Sequence, residues 1–257
     1  MDFTRTKIIC TIGPATQDLA SLRKLHKSGM NVARINMSHA NHKSAKLIID
    51  RIHKINKDSK NSYGKIGILL DTQGPEIRTG DTELTMDLKV GDEVTLTVRD
   101  QIDVETSSIK INYKDLIHSV SKGSKISVDN GLINFMVLSK DEETLLCKVL
   151  DGGKLGSKRH VNLPGVRVNL PSITSKDLDD INFGMRNDVD FIALSFVRDT
   201  EDLEKLQKIL DSKKSKAKII AKIENQEGLN NIHQISQASW GVMVARGDLG
   251  IETSLTD

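Results

Sequence analysis

The stretch Ala217–Gly228, AKIIAKIENQEG, decides the fold, and Gly241–Gly250, GVMVARGDLG, repeats its design. Each stretch starts as a short apolar run and ends in charged residues. Alternate side chains of an extended strand share a face, so we expect Ile220, Lys222 and Glu224 on one face of the first run. A strand buried on both sides carries no charge in its interior, so the charges are expected at its carboxyl end.

The second run predicts the same arrangement of apolar and charged side chains. The residues expected on its charged face are Val242, Val244, Arg246 and Asp248. A cation and two carboxylates from adjacent strands could hold a divalent metal with a phosphate beside it. The simpler alternative is an ordinary ion pair at one strand end, which accounts less well for two runs of the same design.

The composition is that of an ordinary globular protein and gives no sign of nucleic-acid binding. The 257 residues carry a formal net charge of +2, with 37% hydrophobic and 28% charged residues. Nucleic-acid binders usually have a concentrated basic face and aromatic residues for stacking, whereas aromatic residues make up only 3% of this chain. The basic cluster Lys213–Lys218 lies between a predicted helix and a predicted strand, where a solvated helix end is expected.

The cysteines and apolar runs indicate a cytoplasmic protein without a membrane segment. Cys10 and Cys147 both lie in apolar, strand-like runs, which favours buried thiols in a reducing compartment. No apolar run approaches the ~18 residues of a membrane-spanning helix. The first residues, MDFTRTK, lack the apolar core of a signal peptide.

Strands and helices alternate at both ends of the chain. The predicted strands are Lys7–Ile12, Met30–Met37, Lys65–Leu70, Phe191–Val197, Lys218–Ile223 and Gly241–Ala245. The predicted helices are Leu19–Ser28, His42–Lys57, Lys176–Phe183, Asp199–Asp211 and Gly228–Ser236. This alternation predicts a parallel sheet of βαβ units, with the first strand, like the others, buried.

The middle of the chain has a different pattern. Four short alternating runs, separated by turn residues, predict an inserted all-β domain with one short helix near Tyr113–Val120. The runs are Glu93–Arg99, Lys125–Val128, Leu132–Leu138 and Thr144–Val149. We therefore divide the chain into a first α/β part (1–76), an inserted β domain (77–172) and a second α/β part (173–257).

Polar residues collect where the predicted parallel strands end. They are Thr11, Arg34, Asn36, Ser38, Asp71, Thr72, Ser195, Lys222, Glu224, Arg246 and Asp248. In a parallel α/β barrel these ends meet at one mouth, which is where barrel active sites lie. Since stability alone does not require a polar group at nearly every strand end, the pattern predicts an active site.

The residue types at this mouth indicate phosphoryl chemistry. Glu224 and Asp248 are hard oxygen ligands suited to Mg²⁺ or Mn²⁺. Lys222, Arg34 and Arg78 are cations that bind phosphate. A set of oxygen donors with little charge suits a monovalent cation, and its members are Asn36, Ser38, Asp71 and Thr72. No GxxxxGK[ST] or GxGxxG phosphate loop is present, so a nucleotide would be held by side chains and the inserted domain.

Over essentially its whole length, the sequence resembles the pyruvate kinase family. The segments that carry the resemblance are KIICTIGPAT, GMNVARINMSH, LLDTQGPEIRTG, DNGLI, GSKRHVNLPG, AKIIAKIENQEGL and VMVARGDLGIE. The resemblance implies a (β/α)₈-type TIM barrel with a small β-barrel lid inserted after the third strand, here with about six strands. It also implies phosphoryl transfer from phosphoenolpyruvate to ADP, giving pyruvate and ATP in glycolysis.

The resemblance also implies roles for individual residues. Lys222 and Arg34 would be catalytic, and Lys222 with the backbone at Gly247 and Asp248 would bind substrate. The implied nucleotide-binding residues are Arg34, Asn36, His39, Arg78 and Lys158. The implied metal ligands are Glu224 and Asp248 for Mg²⁺, and Asn36, Ser38, Asp71 and Thr72 for K⁺. Glu76 matches family members that depend on K⁺.

The chain departs from the family pattern in places. Gln73 stands where lysine is usual, Arg159 and His160 replace lysine and glycine, and Ala40 replaces a glycine. The sequence stops before strands seven and eight, a substrate-binding threonine and the C-terminal regulatory domain of this homotetrameric family. Because an open barrel has two unpaired edges, we expect the isolated chain to be unstable or to associate unless a second polypeptide completes it.

Three functions are therefore consistent with the sequence. The first is a pyruvate kinase. The second is an inactive fragment that still binds metal and phosphoenolpyruvate or acts in assembly, which the missing strands favour. The third is a metal-dependent lyase or aldolase on a phosphoenolpyruvate/pyruvate barrel, against which the inserted domain and Arg78 argue, since a lyase needs no nucleotide lid.

Overall fold

A computed structural model describes residues 5–58, 63–82, 85–99, 108–166 and 168–253. The chain divides into two compact units. The α/β unit consists of Met1–Gly74, Ser172–Ile223 and Asn231–Met243. The β-rich unit consists of Pro75–Pro171, Glu224–Asn230 and Val244–Asp257.

The elements follow one another along the chain in the order strand, helix, strand at both ends, with mainly strands between. The strands are β1 (Ile8–Thr11), β2 (Met30–Asn36), β3 (Gly67–Asp71), β4 (Met86–Leu88), β5 (Glu93–Thr97), β6 (Ser108–Lys110), β7 (Lys125–Val128), β8 (Ile133–Lys140), β9 (Thr144–Asp151), β10 (Gly153–Leu155), β11 (Val161–Asn162), β12 (Phe191–Leu194), β13 (Lys218–Ile223) and β14 (Gly241–Val244). The helices are α1 (Leu19–Lys27), α2 (His42–Asn56), α3 (Leu116–Ser119), α4 (Ser175–Arg186), α5 (Thr200–Ser212), α6 (Gln226–Asn230), α7 (Ile232–Ala238) and α8 (Arg246–Glu252).

The α/β strands form one six-stranded sheet in the order β1-β2-β3-β12-β13-β14. The pairs β1–β2, β2–β3, β3–β12 and β12–β13 are parallel, as the βαβ alternation predicts. The order of strands in this sheet follows the order along the chain. The inserted β strands come between β3 and β12 in the sequence but belong to other sheets. The predicted fold class, an incomplete (β/α)₈-type barrel with an inserted β domain, is confirmed.

The first strand is not buried, contrary to the prediction. Ile8 and Ile9 are 49% and 51% exposed because β1 lies at an edge of the sheet and has a neighbour on only one side. The other edge strand, β14, likewise leaves Val242 and Val244 exposed. The buried-thiol prediction holds for Cys147, whose pKa burial raises to about 12, whereas Cys10 is only partly buried.

Helices α2 and α4 begin at capping boxes that fix where they start. Asn41 and Ser44 cap α2 reciprocally, and Thr174 and Asp177 do the same for α4. One face of α2 is apolar and buried, with Ala45, Ile48, Ile49 and Ile52 on it. Among the described residues, no helix combines the length and apolarity needed to cross a membrane.

The β-rich unit has a second six-stranded sheet, in the order β11-β7-β8-β9-β5-β6, and a separate β10–β4 pair. The hairpins β7–β8 and β8–β9 are antiparallel and surround an apolar core that includes Phe135, Val137 and Val149. The four predicted strands and the short helix are present. Sequence reasoning missed β4, β6, β10 and β11, which are only two or three residues long.

Two predictions near the end of the chain are wrong. The predicted helix Gly228–Ser236 is two helices, α6 and α7, separated at Asn231, whose Nδ2 donates to the carbonyl of Arg198 at 2.8 Å. Arg246 and Asp248 do not continue the face of β14, because the strand ends at Val244 and both residues lie in α8. The amide of Leu249 donates to the carbonyl of Ala245 at 3.0 Å, which begins the helix.

Candidate active site

Asp71, the last residue of β3, is fully buried between a cation of β2 and a cation of β13. Its Oδ2 lies 2.7 Å from Nε and 2.5 Å from Nη2 of Arg34. Its Oδ1 lies 3.0 Å from Nζ of Lys222. Because burying an ionised carboxylate is costly unless it is paired, these contacts account for its presence at this depth.

The register of the parallel strands produces this convergence. Asp71 is opposite Asn36 of β2 on one side and Ala193 of β12 on the other, and Leu194 is opposite Ala221 of β13. Arg34 and Lys222 therefore reach Asp71 from β2 and from the strand beyond β12. The periodicity of the opening sequence stretch had predicted a charged residue at the carboxyl end of β13.

Lys222 is held by a second, neutral partner. Its Nζ lies 2.6 Å from Oγ of Ser195, which in turn donates to the carbonyl of Thr72 at 2.7 Å. The amide of Ser195 donates to Oγ1 of Thr72 at 3.1 Å. We call Arg34, Asp71, Thr72, Ser195 and Lys222 the strand-end cluster.

The strand-end cluster carries two cations and one carboxylate, and hence a net positive charge. Arg34 is 25% exposed, and its Nη1 also donates to Oγ1 of Thr11 at 2.8 Å. Lys222 is 10% exposed, so its charge is poorly screened by water. An excess of positive charge at partly exposed side chains suits an anionic ligand such as a phosphate.

The loop after β2 carries the other residues predicted near this edge. The Oδ1 of Asn36 accepts from the amide of Ser38 at 3.0 Å, and its carbonyl accepts from the amide of His39 at 3.2 Å. Nζ of Lys176 donates to the carbonyl of Met37 at 2.9 Å, which fixes the start of the loop. The side chain of Ser38 is partly buried and that of His39 is exposed.

Arg78 and Lys158, the nucleotide-binding candidates of the inserted region, lie together in the β-rich unit. Nη1 of Arg78 donates to the carbonyl of Lys158 at 2.8 Å, and its Nε donates to Glu76 at 2.7 Å. Nζ of Lys158 is 3.2 Å from Asp81, and its side chain is largely exposed. The ammonium of Lys158 is therefore accessible to an anion.

Asp248 lies in the same unit, beside a histidine that sequence reasoning gave no role. Nδ1 of His160 is 3.8 Å from Oδ1 of Asp248. Burial lowers the pKa of the His160 imidazole, and the carboxylates of Glu76 and Asp248 offset part of that shift. One turn later in α8, Oε1 of Glu252 accepts from Nδ2 of Asn162 at 2.7 Å, while burial raises the pKa of Glu252.

Glu224 and Gly247 complete the set of predicted residues. Glu224 follows the last residue of β13 directly and is buried. Gly247 lies in the first turn of α8, is exposed, and has open space where a Cβ would stand. Within the described ranges, no three His, Cys, Asp or Glu side chains gather into a metal-binding group.

The structure thus brings Arg34, Asp71, Thr72 and Lys222 together, as predicted. The partners His160, Asn162 and Glu252 were missed. The i,i+4 spacing of Asp248 and Glu252 is a helical signal, but the apolar run before it favoured a strand.

A family model described as "Pyruvate kinase, barrel domain" matches residues 3–257. The chain belongs to the pyruvate kinase family. It is 44% identical to plastidial pyruvate kinase 2 of Arabidopsis thaliana over 253 residues, which are 98% of this chain and 43% of that protein. It is 48% identical to a pyruvate kinase of Staphylococcus saprophyticus over 253 residues, 96% of this chain and 42% of that protein. The chain spans less than half the length of these relatives.

Proposed function

We propose that this chain performs the phosphoryl transfer of pyruvate kinase, from phosphoenolpyruvate to ADP, giving pyruvate and ATP. The observation that carries the proposal is the buried ammonium of Lys222, held between Asp71 and Ser195 in a cluster of net positive charge. Membership of the pyruvate kinase family supports the choice of substrates. We also propose a cytoplasmic location.

Charge neutralisation is the proposed work of Lys222 and Arg34. The bond between the phosphorus and the enol oxygen breaks, and a bond forms from phosphorus to a terminal oxygen of ADP. The electron pair of the broken bond stays on the enolate oxygen, and the methylene carbon of the enolate is later protonated to give the methyl group of pyruvate. A preorganised cation in a water-poor site stabilises such developing charge without reorganisation.

Asn36, Ser38, Asp71 and Thr72 have the chemistry of a monovalent-cation site. Oδ1 of Asp71 is buried and lies 3.0 Å from the ammonium of Lys222; a carboxylate oxygen has two lone pairs, so one remains for an ion. We propose that these residues hold K⁺. When bound, K⁺ supplies a positive charge that helps to orient the phosphate.

Glu224 and Asp248 are the proposed Mg²⁺ ligands. Both offer carboxylate oxygens, the donors that Mg²⁺ prefers, and α8 places Asp248 partly exposed in its first turn. Mg²⁺ would supply electrostatic stabilisation of the phosphoryl oxygens. The amides of Gly247 and Asp248 are proposed to contact the substrate carboxylate.

Arg34, Asn36, His39, Arg78 and Lys158 are the proposed nucleotide-binding residues. The exposed Lys158 and the partly exposed Arg78 offer donors to the polyphosphate. Pairing with Glu76 fixes the direction of the Arg78 guanidinium. We propose that 77–172 forms the lid domain that carries these two residues.

A coupled assay for pyruvate tests the proposal, with phosphoenolpyruvate, ADP, Mg²⁺ and K⁺. We expect turnover in the native chain and its loss in Lys222→Met. The matched control is Lys205→Met, which removes an exposed ammonium paired with Asp202 on α5 and should leave turnover unchanged. Absence of turnover with intact Mg²⁺-dependent phosphoenolpyruvate binding would contradict the catalytic proposal and show a binding fragment instead.

A further inference from the structure

Ser195 is a buried serine immediately after β12, and it is hydrogen-bonded to Thr72 and to Lys222. Its hydroxyl donates to the carbonyl of Thr72 at 2.7 Å, and its amide donates to Oγ1 of Thr72 at 3.1 Å. A serine hydroxyl has a single proton, and that of Ser195 is used in the hydrogen bond to the Thr72 carbonyl. The oxygen can therefore only accept from Lys222, whose Nζ lies 2.6 Å away.

The backbone around Ser195 is shaped to hold it there. Phe196 adopts a left-handed conformation at φ +55°, which is uncommon for a residue with a side chain and turns the chain sharply after Ser195. Facing it, Gly74 has φ +77°, and a Cβ at that position would lie 2.7 Å from Cβ of Ser195. A glycine is thus required both by the conformation and by the approach of the serine.

We propose that Ser195 is a positioning residue that fixes the direction of the Lys222 ammonium. This inference rests on the proposed role of Lys222 in phosphoryl transfer. Asp71 attracts the ammonium as a charge, but a lysine side chain has many rotamers and an ion pair specifies direction weakly. The serine oxygen adds a second, directional contact that holds Nζ at one point.

Thr72 extends this link to the proposed K⁺ site. The hydroxyl of Thr72 donates to the carbonyl of Ala193 at 3.2 Å and accepts from the amide of Ser195. The carbonyl of Thr72 accepts a hydrogen bond from the hydroxyl of Ser195. The ends of β3 and β12 are therefore tied by reciprocal hydrogen bonds. Ser195 joins one proposed K⁺ ligand, Thr72, to Lys222.

Trace acylation of lysine amines, read by mass spectrometry, tests this without requiring turnover. In Ser195→Ala we expect Lys222 to be labelled about tenfold faster, because the ammonium loses the hydrogen bond to the serine oxygen. Lys176 and Lys140 serve as internal references. Their ammonium groups donate to the carbonyls of Met37 and Ile117 and do not contact Ser195, so in Ser195→Ala each should be labelled at its native rate.

Two further variants separate positioning from packing. Ser239→Ala removes another buried serine hydroxyl, one that makes no hydrogen bond with the described residues, and should leave Lys222 labelling unchanged. Ser195→Thr keeps the oxygen and should restore labelling to within about threefold of the native rate. Equal labelling of Lys222 in the native chain and in Ser195→Ala would overturn the proposal, and so would parallel acceleration of Lys176.

Kinetics distinguish this inference from the proposed function itself. Where the native chain turns over phosphoenolpyruvate, Ser195→Ala should lower kcat about tenfold or more and change KM less, since a misdirected ammonium mainly weakens the transition state. A larger change in KM than in kcat would contradict positioning. If the native chain has no turnover, the functional proposal fails, while the labelling experiment still decides the role of Ser195.

Discussion

The two six-stranded sheets bury polar side chains of different kinds. In the α/β unit the buried set at the strand ends includes the ionised pair Asp71 and Lys222. In the sheet of the β-rich unit the buried polar residues that the structure describes are neutral, namely Thr97, Ser108, Ser127, Asn134 and Asn162. Buried neutral groups are satisfied by a few hydrogen bonds, whereas buried charges persist only with close partners.

This difference separates structural from functional polarity. Ser127 of β7 donates to Asn134 of β8 at 2.6 Å, and Asn134 donates to Asp151 of β9 at 2.9 Å, so the polar side chains of three neighbouring strands satisfy one another. The buried members of this network, Ser127 and Asn134, are neutral, and the one carboxylate, Asp151, is exposed to water, so the network stabilises the sheet without burying a charge. The strand-end cluster keeps a net positive charge, which lowers the free energy of unfolding. A binding or catalytic role explains why such a cluster is present.

The largest effect is expected at Asp71. Asp71→Ala leaves the buried Lys222 ammonium without its counter-ion and should lower the free energy of unfolding by about 3–5 kcal/mol. Urea unfolding followed by the fluorescence of Trp240, the single tryptophan, measures this in the α/β unit. A loss below about 1 kcal/mol would show that the ion pair has little structural weight.

The double variant Asp71→Ala, Lys222→Met sharpens the same comparison. Because it removes the uncompensated charge together with its partner, it should recover most of the stability lost in Asp71→Ala. The same urea titration provides the measurement. Additive losses from the two substitutions would contradict the interpretation of Asp71 and Lys222 as a coupled pair.

A smaller effect is expected in the neutral network. Ser127→Ala leaves Oδ1 of Asn134 without this donor and should cost about 1–2 kcal/mol. Hydrogen exchange of the β7–β8 hairpin reports the change. A loss as large as that of Asp71→Ala would remove the distinction between the two sheets.

Sequence periodicity predicted much of the α/β unit. Alternation along β13 placed Lys222 at a strand end, and the βαβ order brought Arg34 and Asp71 to the same edge. The exposure of β1 was not predictable in the same way, because its residues are as apolar as those of a central strand and only its place in the sheet leaves it uncovered.

Tertiary contacts explain what sequence reasoning missed. The hydrogen bond from Lys222 to Ser195 joins residues 27 positions apart, and no local pattern encodes it. Helix α8 was hidden by the apolar run before it, and the partners of its carboxylates, His160 and Asn162, come from a distant segment. Local propensity predicts elements, whereas these pairings depend on the packing of the fold.

The α/β unit is expected to lose stability in acid through His26. Burial lowers the pKa of His26 below its ordinary value of 6.5, so the folded state favours the neutral ring. The stability it contributes is present above pH 6.5 and is lost as the pH falls through the folded-state pKa. Trp240 fluorescence melts from pH 7.5 to 5 should show this decline, and His26→Leu should flatten it. An unchanged slope in His26→Leu would contradict the assignment.

The β-rich unit is expected to show the opposite trend through Glu252. Burial raises the pKa of Glu252 above its ordinary value of 4.5, so stability present below that value is lost as the pH rises through the folded-state pKa. Glu252→Gln keeps an acceptor for Asn162 and removes the charge. Hydrogen exchange of α8 between pH 4.5 and 7.5, corrected for intrinsic rates, should depend less on pH in this variant. An equal dependence would rule out Glu252 as the cause.

We propose that the charged strand ends of the α/β unit bind a phosphorylated substrate, whereas the buried Ser127 and Asn134 of the β-rich unit only stabilise their own sheet. Calorimetric titration with phosphoenolpyruvate in K⁺ buffer, with and without Mg²⁺, tests this most directly. We predict Mg²⁺-dependent binding to the native chain and to Ser127→Ala, and its loss in Lys222→Met. Binding that is independent of Mg²⁺, or equally strong in Lys222→Met, would contradict the account.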